Sequence, residues 1–267
     1  MYPFIHLGPI TLGTYGIMVA CGLICGFLIM RADLARRGLS ADAESIIGIT
    51  GLAGLAGARL YHLLESPAEF FANPLPLLFS TMGFAWFGAV IGGFVALVLL
   101  ARRFRMKMLL MLDVASPAAV IGYGVGRIGC LISGDGDYGI PTSLPWGMSF
   151  PNGLVPTTDR VHPTPIYEFL AALVIAHFLW RIGRSAIAEK KPFGVVFAWY
   201  LVFTGVARFL VEFIRTNEKH FFGISPRYFF GVTNAQAASL VSIIAGVLLL
   251  LALQSRARSG QRSVRPA

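Results

Sequence analysis

Three arginines, Arg59, Arg127 and Arg208, fall inside long apolar runs of this 267-residue chain. A charge at mid-bilayer depth costs at least about 2.5–3.5 kcal/mol unless it is paired or hydrated, so such residues mark where chemistry is carried. Around the second of them the chain reads Gly122-Tyr-Gly-Val-Gly126-Arg127-Ile-Gly129-Cys-Leu-Ile-Ser-Gly134-Asp135-Gly-Asp137-Tyr-Gly139. Helix propensity does not explain this density of glycine, since each costs about 1 kcal/mol relative to alanine. Glycine permits close approach of a backbone or a ligand, which makes Gly126, Gly129 and Gly139 candidate binding positions. An arginine beside free backbone N–H groups suits a phosphate. The same segment also reads as a helix-packing seam with Arg127 snorkelling to the interface.

A second constellation is Arg208, Glu212 and Arg215, spaced four and three apart so that one helical face carries all three. They flank a common ligand, or Arg208 and Glu212 form an internal bridge that steadies the bundle. Gly57-Ala-Arg59-Leu-Tyr61-His62 again places small residues before an arginine, and His162-Pro-Thr-Pro-Ile-Tyr167-Glu168 stands at the entry to another apolar run. A lone histidine at the end of a span is more often a hydrogen-bonded structural group than a base. Tyr15, in Gly13-Thr-Tyr15-Gly16, reads as interfacial packing with a headgroup hydrogen bond available to it.

The elements that must position these residues are membrane helices. The composition is 56% hydrophobic and 13% charged, against about 25% charged in soluble domains, which excludes both a disordered chain and an ordinary soluble domain. A bilayer crossing takes roughly 20 apolar residues. Seven runs qualify, at about 9–31, 45–65, 83–101, 110–133, 164–181, 192–213 and 236–253. Continuous apolar runs exclude alternating strands, so the expectation is an all-α membrane protein, a bundle of about seven transmembrane helices.

The net charge of +9 would suit nucleic acid in a soluble protein, but its distribution here is topological. Of the 22 Lys and Arg, fifteen follow the first, third, fifth and seventh runs, from Arg31, Arg36 and Arg37 to Arg256, Arg258, Arg262 and Arg265. The positive-inside rule then puts the N-terminus outside and the C-terminus in the cytoplasm, with no role for nucleic acid. The first run lacks a basic leader and is too long for a signal peptide, so it reads as a retained helix. Residues 1–255 form the transmembrane domain and 256–267 a basic, mobile tail suited to anionic headgroups.

Between the runs, the outer segment from about 134 to 163 lacks clear structure and is long enough to be functional. Residues 66–82 suit a short helix lying at the interface. Cys21, Cys25 and Cys130 all sit in apolar runs without a CxxC pair and read as packing residues. No metal motif, Walker loop, Rossmann fingerprint or GxSxG elbow occurs, so neither a metal nor another cofactor is expected. Arginines, acids and glycine-rich backbone on one side of a bundle match an anionic phospholipid, whose phosphate needs arginine and whose acyl chains need a lateral opening.

The ordered set Tyr15-Gly16, Gly57-Ala-Arg59, Asp113 with Pro117, Gly126-Arg127-Ile-Gly129, Gly134-Asp135, Tyr138-Gly139, His162-Pro163, Tyr167-Glu168 and Arg208-Phe209 with Glu212-Phe213 and Arg215 resembles the prolipoprotein diacylglyceryl transferase family. The resemblance runs from about Tyr15 to Leu253. It implies a bacterial inner-membrane enzyme that moves a diacylglyceryl group from phosphatidylglycerol to the lipobox cysteine thiol of a prolipoprotein, releasing glycerol phosphate. It implies that Arg127 binds phosphatidylglycerol, that Arg208 is a second essential cation near the leaving phosphate, and that Glu212 and Arg59 belong to the network holding them. Fixed guanidinium groups would stabilise charge developing on that phosphate.

Four places depart from the family pattern. Phe87 stands where a histidine is usual, Cys130 where an asparagine is usual, Ser133-Gly134-Asp135, followed by one extra residue, replaces Asn-Gly-Glu, and Thr204 stands where a tyrosine four residues before Arg208 is usual. The thiol, with a reference pKa of about 8.5, then needs another base. Asp135, Asp137, Glu168, His162 and His62 are available, as is the released phosphate, and Asp135 is expected to matter more than His162. The alternatives are a related phosphatidylglycerol-dependent transferase with another acceptor, and a lipid-binding or transport protein, although transporters more typically show inverted repeats.

Overall fold

Continuous apolar runs leave the backbone no partner but itself, and the computed structural model accordingly shows long helices with short β-hairpins outside them. It describes residues 1–65, 67, 85–215, 227–228 and 232–262. Among these, seven helices are present: α1 (Thr14–Arg36), α2 (Ala43–Glu65), α3 (Trp86–Arg103), α4 (Met108–Ser133), α5 (Thr164–Ala188), α6 (Val195–Val211) and α7 (Asn234–Arg262). Each overlaps one of the seven apolar runs. Five of them, α1, α2, α4, α5 and α7, are long and apolar enough to cross a membrane, and α6 is a shorter apolar helix. Large side chains such as Leu52, Leu64, Val241 and Leu248 stay exposed, as expected where lipid rather than protein is the solvent. The chain is therefore a helical, multi-pass membrane protein.

Three two-stranded antiparallel hairpins lie outside the apolar helices: β1 (Phe4–Leu7) with β2 (Ile10–Gly13), β3 (Met148–Phe150) with β4 (Thr157–Val161), and β5 (Arg227–Tyr228) with β6 (Val232–Thr233). The middle hairpin corrects the expectation of a structureless segment at 134–163. Its anchor is Phe150, 1% exposed and stacked on Tyr138 at 5.1 Å. At the C-terminus the helix continues to Arg262, so most of the basic tail extends α7 rather than leaving it. The interfacial helix expected over 66–82 lies outside the described residues except for Pro67.

The chain forms two compact units, 31–111 and 1–30 with 112–267. In the first, α2 packs on α3 along a small-residue seam: a Cβ at Gly57 or Gly88 would overlap the other's backbone carbonyl, and one at Gly92 would overlap that of Ala53. Such seams let helices associate in lipid, where apolar side chains gain little by meeting each other. Asp42 starts α2, its carboxylate accepting from the Glu44 and Ser45 backbone N–H groups at 3.0 and 3.3 Å. Asp33, fully buried near the end of α1, pairs with Arg36 and Arg37 of the same helix.

In the second unit, Val120 of α4, Ala172, Ile175 and Leu179 of α5 and Val196 of α6 form a buried core. Asp113 of α4 caps the first turn of α6, accepting from the Gly194 and Phe197 N–H groups at 2.7 and 2.8 Å. A carboxylate there satisfies orphan donors and complements the helix dipole. Thr233 and Gln236 cap α7 reciprocally, each backbone N–H donating 3.1 Å to the other's side chain. These caps fix where α6 and α7 begin. The ends of α4 and α6, the segments that follow them and the start of α5 supply the charged residues described next.

Candidate active site

Arg127 stands on the last turns of α4 with its side chain 9% exposed. One guanidinium nitrogen donates to Asp137 Oδ2 at 2.6 Å and another pairs with Glu168 Oε2 on α5. Glu168, 5% exposed, also accepts from the Tyr123 hydroxyl at 2.5 Å and lies 3.5 Å from Arg208 of α6. Arg208 pairs in turn with Glu212 at 2.6 Å, and Glu212 accepts from the Thr233 hydroxyl at 2.9 Å. At the opposite end Asp137 Oδ1 pairs with Arg215. A single alternating row results: Arg215, Asp137, Arg127, Glu168, Arg208, Glu212. Burying Arg127 or Glu168, among the least exposed of these charges, without a partner would cost several kcal/mol.

The helical stripe expected for Arg208, Glu212 and Arg215 holds only for the first pair. Helix α6 ends at Val211, and the chain turns through Glu212, Phe213 and Ile214, with the Phe213 N–H bonding back to the Leu210 carbonyl at 3.3 Å. Arg215 then pairs with Gly139 across an isolated β-bridge, alongside an Ile140 N–H to Ile214 carbonyl bond of 2.9 Å. Gly139 is required there, because a Cβ would overlap the Ile214 carbonyl and crowd His162 and Thr164. The turn carries Arg215 off the helix axis and onto Asp137.

The remaining expected residues fall into two groups. Gly129 is packed against Tyr15 and Met18 of α1, while a Cβ at Gly126 would meet open space, so of the three expected glycines only Gly126 faces an unfilled position. Met18 also lines an apolar cavity of about 420 Å³ with Tyr2, Phe4, Ile5, Thr14, Ile17 and Ile132. Arg59 is buried on α2 in the other unit.

Asp135 sits below the row, its Oδ1 accepting from the Asp137 backbone N–H at 3.2 Å. Burial, and then the negative charge of Asp137, push its carboxyl above the usual carboxylate range. The ligand atoms of Cys130, Asp135 and Asp137 lie within 4.8 Å of one another. Cys130 is thus more than the packing residue expected: its sulfur is 3.3 Å from Arg127 and 3.8 Å from Asp137 Oδ2. That guanidinium occupies the space beside the trio, which makes it a poor cation site. His162 Nδ1 lies 3.2 Å from the Tyr167 hydroxyl, which accepts from Trp146 at 2.7 Å. No described contact of the histidine reaches the charged row.

Glu168 and Asp137, named from the sequence only among possible bases, are central to the row as partners of the arginines, and Tyr123, which donates to Glu168, was not selected. The signal for Glu168 was present, since an acid within an apolar run is as costly as an arginine.

An arrangement of this kind can hold anionic oxygen between guanidinium groups, as it here holds the carboxylates of Asp137 and Glu168. The family model for prolipoprotein diacylglyceryl transferase matches residues 3–252. The chain is 33% identical over 239 residues to a protein of Clostridium tetani, with 88% of this chain and 90% of that protein covered. It is 34% identical over 223 residues to one of Geobacter sulfurreducens, covering 80% and 82%. It is 32% identical over 262 residues to one of Nitrosospira multiformis, covering 92% and 84%. All three relatives carry the name phosphatidylglycerol–prolipoprotein diacylglyceryl transferase. With nearly the whole length matched, the chain belongs to the prolipoprotein diacylglyceryl transferase family.

Proposed function

We infer that this protein is a phosphatidylglycerol–prolipoprotein diacylglyceryl transferase. The observation that carries the reading is the row in which Arg127 and Arg208 share Glu168, in a chain matched by that family along residues 3–252. The acceptor is the lipobox cysteine of a prolipoprotein. Its sulfur attacks the glyceryl carbon, the S–C bond forms, the C–O bond to phosphate breaks, and glycerol phosphate leaves. Arg127 and Arg208 stabilise the charge that accumulates on phosphate, and Arg215 binds beside them. Glu212 orients Arg208 from the next turn of chain. Asp135 takes the thiol proton; burial and the charge of Asp137 raise the proton affinity of its carboxyl, which makes it a stronger base than an ordinary carboxylate.

Gly126 leaves room for the lipid against α4, while Gly129 and Gly139 hold Tyr15 and Arg215 in place for it. The apolar cavity bordered by Met18 and Ile132 offers an acyl chain a surface. The membrane is the bacterial inner membrane, with the N-terminus outside and the basic C-terminal end of α7 in the cytoplasm. A second reading, in which the acceptor is a different thiol, is favoured by Phe87 and Cys130 standing where the family resemblance places a histidine and an asparagine.

The decisive experiment incubates the purified protein in phosphatidylglycerol micelles with a lipobox peptide and looks by mass spectrometry for the diacylglyceryl thioether. Product that Arg127→Ala abolishes is the expected result. Phosphatidylglycerol binding without thioether, under conditions where a Clostridium tetani relative turns over, would overturn the assignment of the acceptor.

A further inference from the structure

Asp137 holds its two arginines as a phosphate would. Oδ2 accepts from Arg127 at 2.6 Å and Oδ1 pairs with Arg215, so one carboxylate spans two guanidinium groups that come from different elements. The arginines do not depend on it for their placement. Arg127 keeps Glu168, and the backbone at Arg215 is pinned by its bridge to Gly139. The main chain of Asp137 is held separately, its carbonyl accepting from the Thr164 hydroxyl at 2.6 Å and its N–H donating to Asp135 at 3.2 Å, while the Cys130 sulfur lies 3.8 Å from its Oδ2. Its side chain and that of Arg215 are 19% and 18% exposed, whereas Glu168 is 5% exposed. The replaceable carboxylate of the row is therefore also the accessible one.

We propose that Asp137 is a resident anion: it occupies the phosphate position between Arg127 and Arg215 in the empty enzyme, yields it to the phosphate oxygens of the substrate, and returns to expel the phosphate product. The proposal rests on the transferase reading for the identity of those phosphates. A competing carboxylate weakens binding of any phosphate held there, substrate and product alike, without adding to transition-state contacts. Its benefit is release, because glycerol phosphate leaves with more negative charge than the phosphodiester had and would otherwise remain on the arginines.

The test compares the parent, Asp137→Asn and Asp137→Glu in detergent. Thermal unfolding is followed with increasing glycerol phosphate, and kcat, KM for phosphatidylglycerol and inhibition by glycerol phosphate are measured with lipobox peptide. Removing the competing charge should tighten glycerol phosphate by about tenfold, the scale of one charge-assisted contact. KM for phosphatidylglycerol should fall with it, and kcat should fall because release becomes slow. Asp137→Glu should return all three toward the parent. A neutral variant that is unstable alone but recovers with glycerol phosphate supports the proposal. Unchanged or weaker phosphate affinity in Asp137→Asn overturns it, as does a variant that phosphate cannot restore. If the parent makes no thioether while Asp137→Asn still gains phosphate affinity, the transferase reading fails and the resident anion stands. If the parent is active and the variant gains nothing, the resident anion fails alone.

Discussion

Two aspartates in this protein, Asp33 and Asp137, each hold two arginines, and they do so in opposite ways. Asp33 takes Arg36 and Arg37 from its own helix, three and four residues on, and is wholly buried. Asp137 takes Arg127 from ten residues before it and Arg215 from 78 residues after it, and remains partly open. The first pairing is complete as soon as one turn of helix forms and leaves nothing for a ligand to join. The second exists only when the ends of α4 and α6 and the intervening loop converge. Local ion pairs therefore mark a helix end, and convergent ones mark a site.

The comparison is broken most sharply at Glu168. Glu168→Gln takes the shared partner from buried Arg127 and from the partly exposed Arg208, and losing one member of a buried pair is worth about 3–5 kcal/mol. We expect the largest fall in melting temperature of any single change in the row, together with loss of thioether product. Asp33→Asn should lower stability on a similar scale, about 3 kcal/mol. The turnover of whatever remains folded should, however, match the parent. If Asp33→Asn reduces kcat as Glu168→Gln does, local and convergent clusters are not functionally distinct.

Asp135→Asn separates chemistry from stability within the convergent cluster. The folded protein raises this carboxyl's pKa by burial and by the charge of Asp137, so it favours the protonated form. Stability from this group is present below the ordinary carboxylate range and is lost as pH rises through the raised value. The asparagine variant carries no such loss. It should equal the parent in melting temperature at acid pH and exceed it at neutral pH. Turnover should fall by about 10²-fold, the scale of a missing general base, and by more than in His162→Gln. Equal rates for Asp135→Asn and the parent would remove Asp135 from the mechanism.

These contrasts also explain what the sequence revealed. The seven helices were legible because each is an uninterrupted apolar run, and the intramembrane arginines because charge there is costly. Arg208 and Glu212, one helical turn apart, were legible as a pair for the same reason that Asp33 and its partners are. Arg215 was misplaced on their helix because periodicity cannot see where a helix stops. The stop is set by the Gly139 bridge, a contact between segments more than 70 residues apart. Asp137 and Glu168 were visible as acids, but their partners depend on convergence that no local spacing encodes. Arg59 shows the limit from the other side, since its burial within α2 belongs to a separate unit.

The smallest effect is expected at Gly126, and it tests whether open space in the convergent region is reserved for lipid. Gly139 and Gly126 flank the same arginines, yet a Cβ would collide with backbone at the first and meet nothing at the second. Gly139→Ala should therefore lower the melting temperature by disturbing the Arg215 bridge. Gly126→Ala lies within α4, where alanine is the better helix former by about 1 kcal/mol, so the folded state should be as stable as the parent or slightly more so. If a phosphatidylglycerol chain or headgroup packs against that face, the added methyl should still raise KM for the lipid by a few fold while kcat changes little, the pattern of lost ground-state contact. An unchanged KM would mean that the gap is incidental and that only the charged row recognises the lipid.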